Sequence, residues 1–264
     1  MKLMQRDRSA LVALSLILGA SALRGACADS VDWQQIGKAG EWANTAKALA
    51  LHGRLWTLDA RGTLAYETLD GKRAQVGNDA AFPGARMWIS LGANLYIVVG
   101  GTMYGGDPEH GPWRMVCDPE WWADTKLMIN TNGYIWSIDR AGRFFRTNTS
   151  CISDQMGSDA IDATMLAAMG GKLWAIDGTG LNVHAADEGT WESVDIDDYG
   201  DTDLFVGSAD DLWLLRSDGS LFRVRADSRR SVGAKGEFHD VKFLFFVDGS
   251  LYVVRDGTLY KRKA

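Results

Sequence analysis

The 264-residue chain contains few of the residues on which many common protein functions depend. It has four prolines, four histidines and three cysteines. The histidines stand singly and without metal-ligand spacing, so we predict no metal site, no Ser-His catalytic triad and no cofactor. Basic residues are in the minority, with 28 Lys and Arg against 34 Asp and Glu. An acidic chain is a poor candidate for a nucleic-acid partner.

Long apolar runs are absent after the N-terminal segment. Basic residues there precede an apolar stretch at 10–23, and an A-x-A motif follows at 26–28. This pattern predicts a secretory signal over residues 1–28, cleaved after Ala28, and a secreted or periplasmic protein without membrane insertion. Lipidation of Cys27 is the alternative, but an arginine three residues earlier fits a lipoprotein signal badly. Cleavage removes four basic residues and one acidic residue, which leaves a net charge of about −9.

What the chain has in abundance is a repeat of about 40 residues. An aliphatic–aromatic pair occurs six times, and a glycine follows it five or six residues later. The aromatic members are Trp56, Tyr96, Trp136, Trp174, Trp213 and Tyr252. A second phrase, typified by Gln35-Ile36-Gly37, recurs with the same spacing. Each period contains four short runs rich in β-branched and aromatic residues and bounded by turn formers, which are typical of strands.

A four-stranded antiparallel sheet in every such period is one blade of a β-propeller. Six repeats therefore predict an all-β, six-bladed β-propeller over residues 29–264. The last repeat ends after its third strand, whereas 33–37 has the sequence of a fourth strand. We predict that this N-terminal strand completes the last blade and closes the ring. The repeated aromatic residues have apolar neighbours on both sides, which indicates packing between blades.

Two cysteines, Cys117 and Cys151, remain after the signal segment. In an oxidising compartment a disulfide is the first expectation. The repeat register argues against it, because Cys117 follows a fourth strand whereas Cys151 precedes the fourth strand of the next blade. Five or six strand residues would separate those levels by about 16 Å, and a disulfide needs Cα atoms within about 7 Å.

Some segments resemble catalytic motifs. Asp139, in "YIWSIDRAGRFF", resembles part of the Asp-box of sialidases, but equivalent positions hold Val99 and Arg216, so we interpret Asp139 as a turn former. Residues 187–191 also resemble an Asp-box. The catalytic arginines, Tyr–Glu pair and acid of a sialidase cannot be placed from the sequence. A hydrolase with an axial site is therefore the least favoured hypothesis.

The acidic run 195–203 begins like a calcium-binding loop. Tyr199 and Val206 stand at two of the positions that should supply ligands, and the terminal glutamate is missing. A solvated acidic loop is the favoured interpretation, and weak calcium binding is the alternative.

The loops that lead into each blade hold the candidate ligand-binding residues. In four of them an aromatic residue is followed two positions later by Asn or Asp. These residues are Trp42 and Asn44, Trp122 and Asp124, Tyr199 and Asp201, and Phe238 and Asp240. An aromatic ring can pack against the CH face of a sugar while the polar group binds its hydroxyls. The structural alternative is that each ring fills a gap between blades and each polar residue caps the incoming strand.

The phrase Trp-x-x-(Ile/Val)-Gly, followed by Leu-Trp-x-(Leu/Ile)-x-x-x-Gly-x-(Leu/Phe)-x-Tyr, resembles the tectonin repeat. It is clearest at 33–66 and 113–145 and, in degenerate form, covers the mature chain. The resemblance implies a lectin that binds glycans between blades. We therefore expect a non-catalytic monomer that binds carbohydrate. A scaffold for a cell-envelope protein is the alternative.

Overall fold

A computed structural model of the chain describes residues 33–157, 160–178, 180–185, 190–195, 198–225 and 228–263. The chain divides into two units, Met1–Val31 and Asp32–Ala264. The predicted signal peptide lies outside the described residues, as do Cys27, most of the second Asp-box-like segment and part of the acidic run. Within the described part of the chain no helix is long and apolar enough to cross a membrane.

All regular structure in the described residues is β-strand, in six sheets of four strands. Strand β1 (Gln34–Ile36) comes first in the chain. Blade 1 consists of β2 (Thr45–Leu51), β3 (Arg54–Asp59), β4 (Leu64–Thr68) and β5 (Arg73–Val76). Blade 2 consists of β6 (Ala85–Leu91), β7 (Asn94–Val99), β8 (Thr102–Gly106) and β9 (Arg114–Val116). Blade 3 consists of β10 (Thr125–Thr131), β11 (Tyr134–Asp139), β12 (Phe144–Thr147) and β13 (Ser153–Gln155). Blade 4 consists of β14 (Ala163–Met169), β15 (Lys172–Asp177), β16 (Gly180–His184) and β17 (Glu192–Asp195). Blade 5 consists of β18 (Thr202–Gly207), β19 (Leu212–Arg216), β20 (Leu221–Arg225) and β21 (Ser228–Val232). Blade 6 consists of β22 (Val241–Val247), β23 (Ser250–Arg255) and β24 (Thr258–Lys263), together with β1.

The predicted ring closure is confirmed. The sixth sheet has the order β1-β24-β23-β22, and Gln35 of β1 lies opposite Tyr260 of β24 in an antiparallel pair. The N-terminal strand thus supplies the fourth strand of the last blade. This pairing covers the outer edge of β24, which would otherwise present unpaired backbone groups.

The repeated aromatic residues form the core between blades, as the sequence indicated. All six are buried; for example, Trp136 packs with Ile138, Leu173 and Ala175 between blades 3 and 4. The second strand of each blade can be apolar on both faces, because a neighbouring blade covers each face.

The repeated glycine has a steric reason. Each loop that leads into a blade holds one buried residue, which we call its plug residue; Trp42, Phe82 and Trp122 are examples. The plug residue packs against the preceding blade. Phe82 donates its backbone N–H to the Gly62 carbonyl at 3.0 Å. Gly62 has φ of +92°, and a Cβ there would lie 2.2 Å from the Phe82 backbone. A larger residue would push the two blades apart.

Asp139 is the turn former that the sequence predicted. Its Oδ1 accepts hydrogen bonds from the backbone N–H groups of Ala141 and Arg143, each at 2.9 Å. Its Oδ2 accepts one from Arg143 Nε at 2.6 Å. Asp59 forms the equivalent backbone bonds in blade 1, to Arg61 and Thr63. The carboxylate therefore shapes the turn between second and third strands.

The expectation that Cys117 and Cys151 stay apart is wrong. They form a disulfide, with Cα atoms 5.3 Å apart, between blades 2 and 3. The expectation assumed that five or six strand residues separate the two levels and took no account of the twist of the sheet. However, β9 has only three residues. Adjacent strands rotate by about 20–25°, so the outermost strand is turned about 60–75° from the innermost and its end moves towards the next blade.

Candidate functional site

The four aromatic residues of the predicted binding set are buried. Trp42 and Trp122 are each 1% exposed, and Tyr199 and Phe238 are each 2% exposed. They lie at four different interfaces around the ring, as the structural alternative in the sequence analysis requires. Their ring faces are therefore not open for a sugar to stack on. A ligand-binding role for the eight residues stays a prediction.

The four polar residues of the set differ in what they contact. Asp201 pairs with Arg216 at 2.6 Å, so its carboxylate is engaged within the protein. Asn44 and Asp240 are exposed. Asp124 is also exposed, and its side chain has no hydrogen bond or ion pair to any described residue. Trp122 and Asp124, two of the eight predicted residues, line one pocket together.

The repeat allows this pocket to be compared with the same place in other blades. Next to each plug residue lie two side chains, one on the third strand and one at or just before the start of the fourth. In chain order of the blades these pairs are Glu67–Arg73, Gly106–Trp113, Thr147–Ser153, His184–Trp191, Val224–Arg229 and Arg262–Trp33. Every pair except Thr147–Ser153 includes at least one large side chain.

Blade 1 shows how this space is filled. The Trp42 indole Nε1 donates to the Glu67 carboxylate at 2.6 Å. The Arg73 guanidinium lies 3.6 Å from the same carboxylate and 5.5 Å from the centre of the Trp42 ring. Glu67 is completely buried. Desolvation raises the pKa of its carboxyl above the usual range, against the opposing hydrogen bond from Trp42.

Blade 6 fills the space with a different network. Arg262 Nη1 and Trp33 Nε1 both donate to the Glu237 carboxylate, at 3.0 and 2.9 Å. Trp33 packs edge-on against the plug residue Phe238, with ring centres 5.8 Å apart. Both networks leave the plug ring covered.

Blade 3 leaves the space open. Thr147 and Ser153 are small and hydrogen-bond each other at 2.9 Å. A pocket of about 190 Å³ remains beside them, and we call it the Trp122 pocket. The Trp122 Nε1 is buried and has no hydrogen-bond partner among the described residues, as is also true of the indole nitrogens of Trp56, Trp191 and Trp213, whereas the Trp42 Nε1 donates to Glu67. Blade 3 therefore lacks the acceptor that blade 1 places beside the equivalent indole.

Other lining groups complete the pocket. Trp121 is 48% exposed, and the equivalent residues elsewhere are Glu41, Ala81, Ala160, Asp198 and Glu237. Phe145 adds a second, half-buried ring, and Arg143 and Asp139 form an ion pair at the wall. The lining thus combines aromatic side chains, hydroxyls and a free carboxylate.

The disulfide holds the walls of the pocket together. Cys117 precedes the loop with Trp121, Trp122 and Asp124, and Cys151 lies in the turn between Thr147 and Ser153. The described residues contain no group of His, Cys, Asp and Glu side chains that could hold a metal ion. The arrangement favours binding by hydrogen bonds and ring contacts.

Sequence reasoning located Trp122 and Asp124 but missed Trp121, Thr147 and Ser153. A signal for them was present. Trp121 stands where other repeats have acidic or small residues, and only this repeat has two small residues in the cross-strand pair.

Known structures share the fold of this chain, although no protein-family model and no curated protein sequence matches it. A luciferin-regenerating enzyme is 11% identical over 88% of this chain and 95% of its own, with a TM-score of 0.62. Virginiamycin B lyase from Staphylococcus aureus is 9% identical over 88% and 97%, with a TM-score of 0.57. YCF48 bound to D1 peptide is 12% identical over 88% and 96%, with a TM-score of 0.55. These neighbours include enzymes and a peptide-binding protein, so they show the propeller fold and not one function. Membership of the tectonin family is not confirmed.

Proposed function

We propose that the protein is a secreted or periplasmic, non-catalytic propeller of the tectonin-like type, and that the Trp122 pocket binds one ring of a carbohydrate. The observation that carries the proposal is the small pair Thr147–Ser153, which leaves the buried Trp122 indole N–H unpaired. A sugar oxygen would accept that hydrogen bond. Leaving the buried donor without a partner costs about 1–3 kcal/mol.

The remaining lining groups suit a sugar. Trp121 and Phe145 offer apolar faces, whereas Asp124, Thr147 and Ser153 bind hydroxyls. The pocket is smaller than the roughly 300–1,000 Å³ of sites for drug-sized ligands. At about 30 Å³ per water molecule it holds about six waters. This size fits a single ring at the end or side of a glycan.

A glycan array followed by calorimetry with the best binder tests the proposal. Asp124→Asn and Trp121→Ala should each weaken binding by about tenfold or more, because these groups contact the ligand directly. Asp124 is exposed, so Asp124→Asn should change the free energy of unfolding by about 0.5 kcal/mol or less, whereas Trp121 is half-exposed and its truncation should cost about 1 kcal/mol. Asp240→Asn is the matched control, since Asp240 is the exposed equivalent of Asp124 in blade 6 and is not among the residues that line the Trp122 pocket. Absence of binding to every glycan would overturn the proposal.

A protein or peptide ligand is the second candidate. Met115 is 55% exposed and Ile152 is 63% exposed, and both lie with Trp121 at the interface of blades 2 and 3. An open groove of about 570 Å³, lined by Met115, Tyr96 and Arg114, runs beside the disulfide. Exposed apolar side chains beside a groove are typical of protein-binding surfaces. A peptide array in which Met115→Asp abolishes binding while Thr147→Glu does not would favour this candidate over the sugar.

The secreted location has its own test. N-terminal sequencing of protein recovered outside the cytoplasm should begin at Asp29. A chain that retains residue 1 would contradict the cleavage prediction.

A further inference from the structure

The outer hairpin of blade 5 concentrates positive charge on an acidic protein. Three arginines, Arg223, Arg225 and Arg230, lie on β20 and β21 and, with Ser228, line a pocket of about 70 Å³. We call this the arginine pocket. The chain as a whole carries a formal net charge of −6. Three guanidinium groups around so small a space repel one another unless an anion lies between them.

The strand register brings two of these cations together. Arg223 lies directly opposite Arg230 in the antiparallel pair of β20 and β21. Like charges directly opposite each other destabilise a sheet. At the same register in blade 3, Arg146 lies opposite Asp154 and pairs with its carboxylate at 3.2 Å. Blade 5 has a second guanidinium where blade 3 has an anion.

The protein supplies only part of the missing negative charge. Asp211, whose side chain is 5% exposed, accepts from both Arg223 and Arg225 at 2.6 Å. One carboxylate therefore serves two guanidinium groups. Arg230 is exposed and forms no hydrogen bond or ion pair with the described residues. At least one cation at the arginine pocket has no counter-charge from this part of the chain.

We infer that the arginine pocket binds a tetrahedral oxyanion, the phosphate or sulfate group of a ligand, in the place that the Asp154 carboxylate takes in blade 3. Guanidinium groups bind such anions through paired N–H donors, and the Ser228 hydroxyl is a further donor. The volume equals two or three waters at about 30 Å³ each, which suits one oxyanion. The shared chemistry is the oxyanion, whether free or attached to a sugar.

Calorimetry and thermal unfolding with sodium sulfate and sodium phosphate test this inference, against sodium chloride at equal ionic strength. Arg230→Asp places a carboxylate opposite Arg223, as in blade 3, and should weaken sulfate binding by about tenfold or more. Arg114→Asp is the matched control, because Arg114 occupies the equivalent position of blade 2, opposite Gly105, and makes the same change of charge. It should bind sulfate as the unaltered chain does.

The control also removes a general salt effect. Sulfate and phosphate raise the midpoint of unfolding of many proteins by exclusion from the surface. That part should be equal in all three proteins, so only the extra shift lost in Arg230→Asp reports the site. Arg230→Gln should lose it too, which guards against a change in folding caused by the new carboxylate.

Four outcomes decide between the alternatives. Equal anion effects in all proteins, or equal losses in Arg114→Asp and Arg230→Asp, would overturn the inference. Tighter binding of glucose 6-phosphate or glucose 6-sulfate than of the free ion would identify a modified sugar as the source. Equal binding would identify the free ion. The arginine pocket shares no lining residue with the Trp122 pocket, so Asp124→Asn should leave sulfate binding unchanged.

Discussion

Blades 1 and 3 place a tryptophan in the same position, but only blade 1 provides its indole with a partner. Trp42 donates to the buried Glu67, and Arg73 completes the network. In blade 3 the corresponding residues are Thr147 and Ser153, which bond each other and leave a pocket of about 190 Å³ beside Trp122. The same backbone therefore carries a filled interface in one blade and an open one in another.

In a repeat protein, each blade can be compared with the equivalent positions of the other blades. In an isolated domain, two small residues next to a tryptophan would attract no notice. Here, blade 1 shows which chemical group belongs beside the indole: an oxygen acceptor. The arginine pocket of blade 5 can be compared in the same way. In blade 3 the Asp154 carboxylate lies opposite Arg146, whereas in blade 5 Arg230 lies opposite Arg223.

The largest expected effect comes from emptying the filled interface. Glu67→Ala should lower the free energy of unfolding by about 4 kcal/mol, because it leaves a cavity and removes the acceptor of Trp42 and a partner of Arg73. Thr147→Ala, at the equivalent place in blade 3, should cost about 1 kcal/mol. Chemical denaturation of both variants checks the comparison. Equal losses would show that the interfaces do not differ energetically.

The disulfide is the next largest contribution and belongs to the open interface alone. Cys117→Ser with Cys151→Ser should lower the free energy of unfolding by about 3–4 kcal/mol, from the closure of a loop with a sequence separation of 34 residues. A reducing agent should have the same effect on the unaltered chain and none on the double variant. A variant as stable as the unaltered, oxidised protein would contradict a structural role for the bridge.

Filling the open interface converts blade 3 towards blade 1. In Thr147→Glu with Ser153→Arg, the new carboxylate should accept the Trp122 indole N–H and occupy the pocket. Affinity for a sugar should then fall by about tenfold or more, or at least 1.4 kcal/mol. The indole proton of Trp122 should shift in the NMR spectrum as it gains a partner. Undiminished sugar binding in the folded double variant would place the ligand elsewhere.

The sequence predicted the fold well because each repeated residue meets a structural requirement that every blade shares. The glycine at Gly62 must have positive φ and no side chain, and Trp136 must fill the space between blades. Such needs recur in each blade and are therefore visible as a pattern.

The candidate site was only partly predictable, since it depends on how one blade departs from the pattern. The loop with Trp122 and Asp124 could be found as an aromatic–polar pair. Whether the Trp122 ring faced water depended on packing against the preceding blade. The disulfide depended on accumulated twist, which no local pattern records. Thr147 and Ser153 matter because they lack the large side chains that fill the same space in the other blades.

The smallest effect is a pH dependence carried by blade 1 and absent from blade 3. Desolvation raises the pKa of the Glu67 carboxyl in the folded state, and Thr147 does not titrate. The folded state therefore holds the Glu67 proton more tightly than the unfolded state, in which its pKa is about 4.3. The resulting stabilisation is complete below that pKa and is lost as the pH rises through the folded-state pKa.

Glu67→Gln tests this dependence, since it keeps the side-chain volume and cannot ionise. The difference in free energy of unfolding between the unaltered chain and this variant should shift against the unaltered chain as the pH rises above about 4. The slope should not exceed about 1.4 kcal/mol per pH unit, the limit for one proton. Thr147→Val serves as the control and should give a difference independent of pH. A difference that shifts in favour of the unaltered chain with rising pH would mean that Trp42 and Arg73 outweigh desolvation and lower the pKa of Glu67.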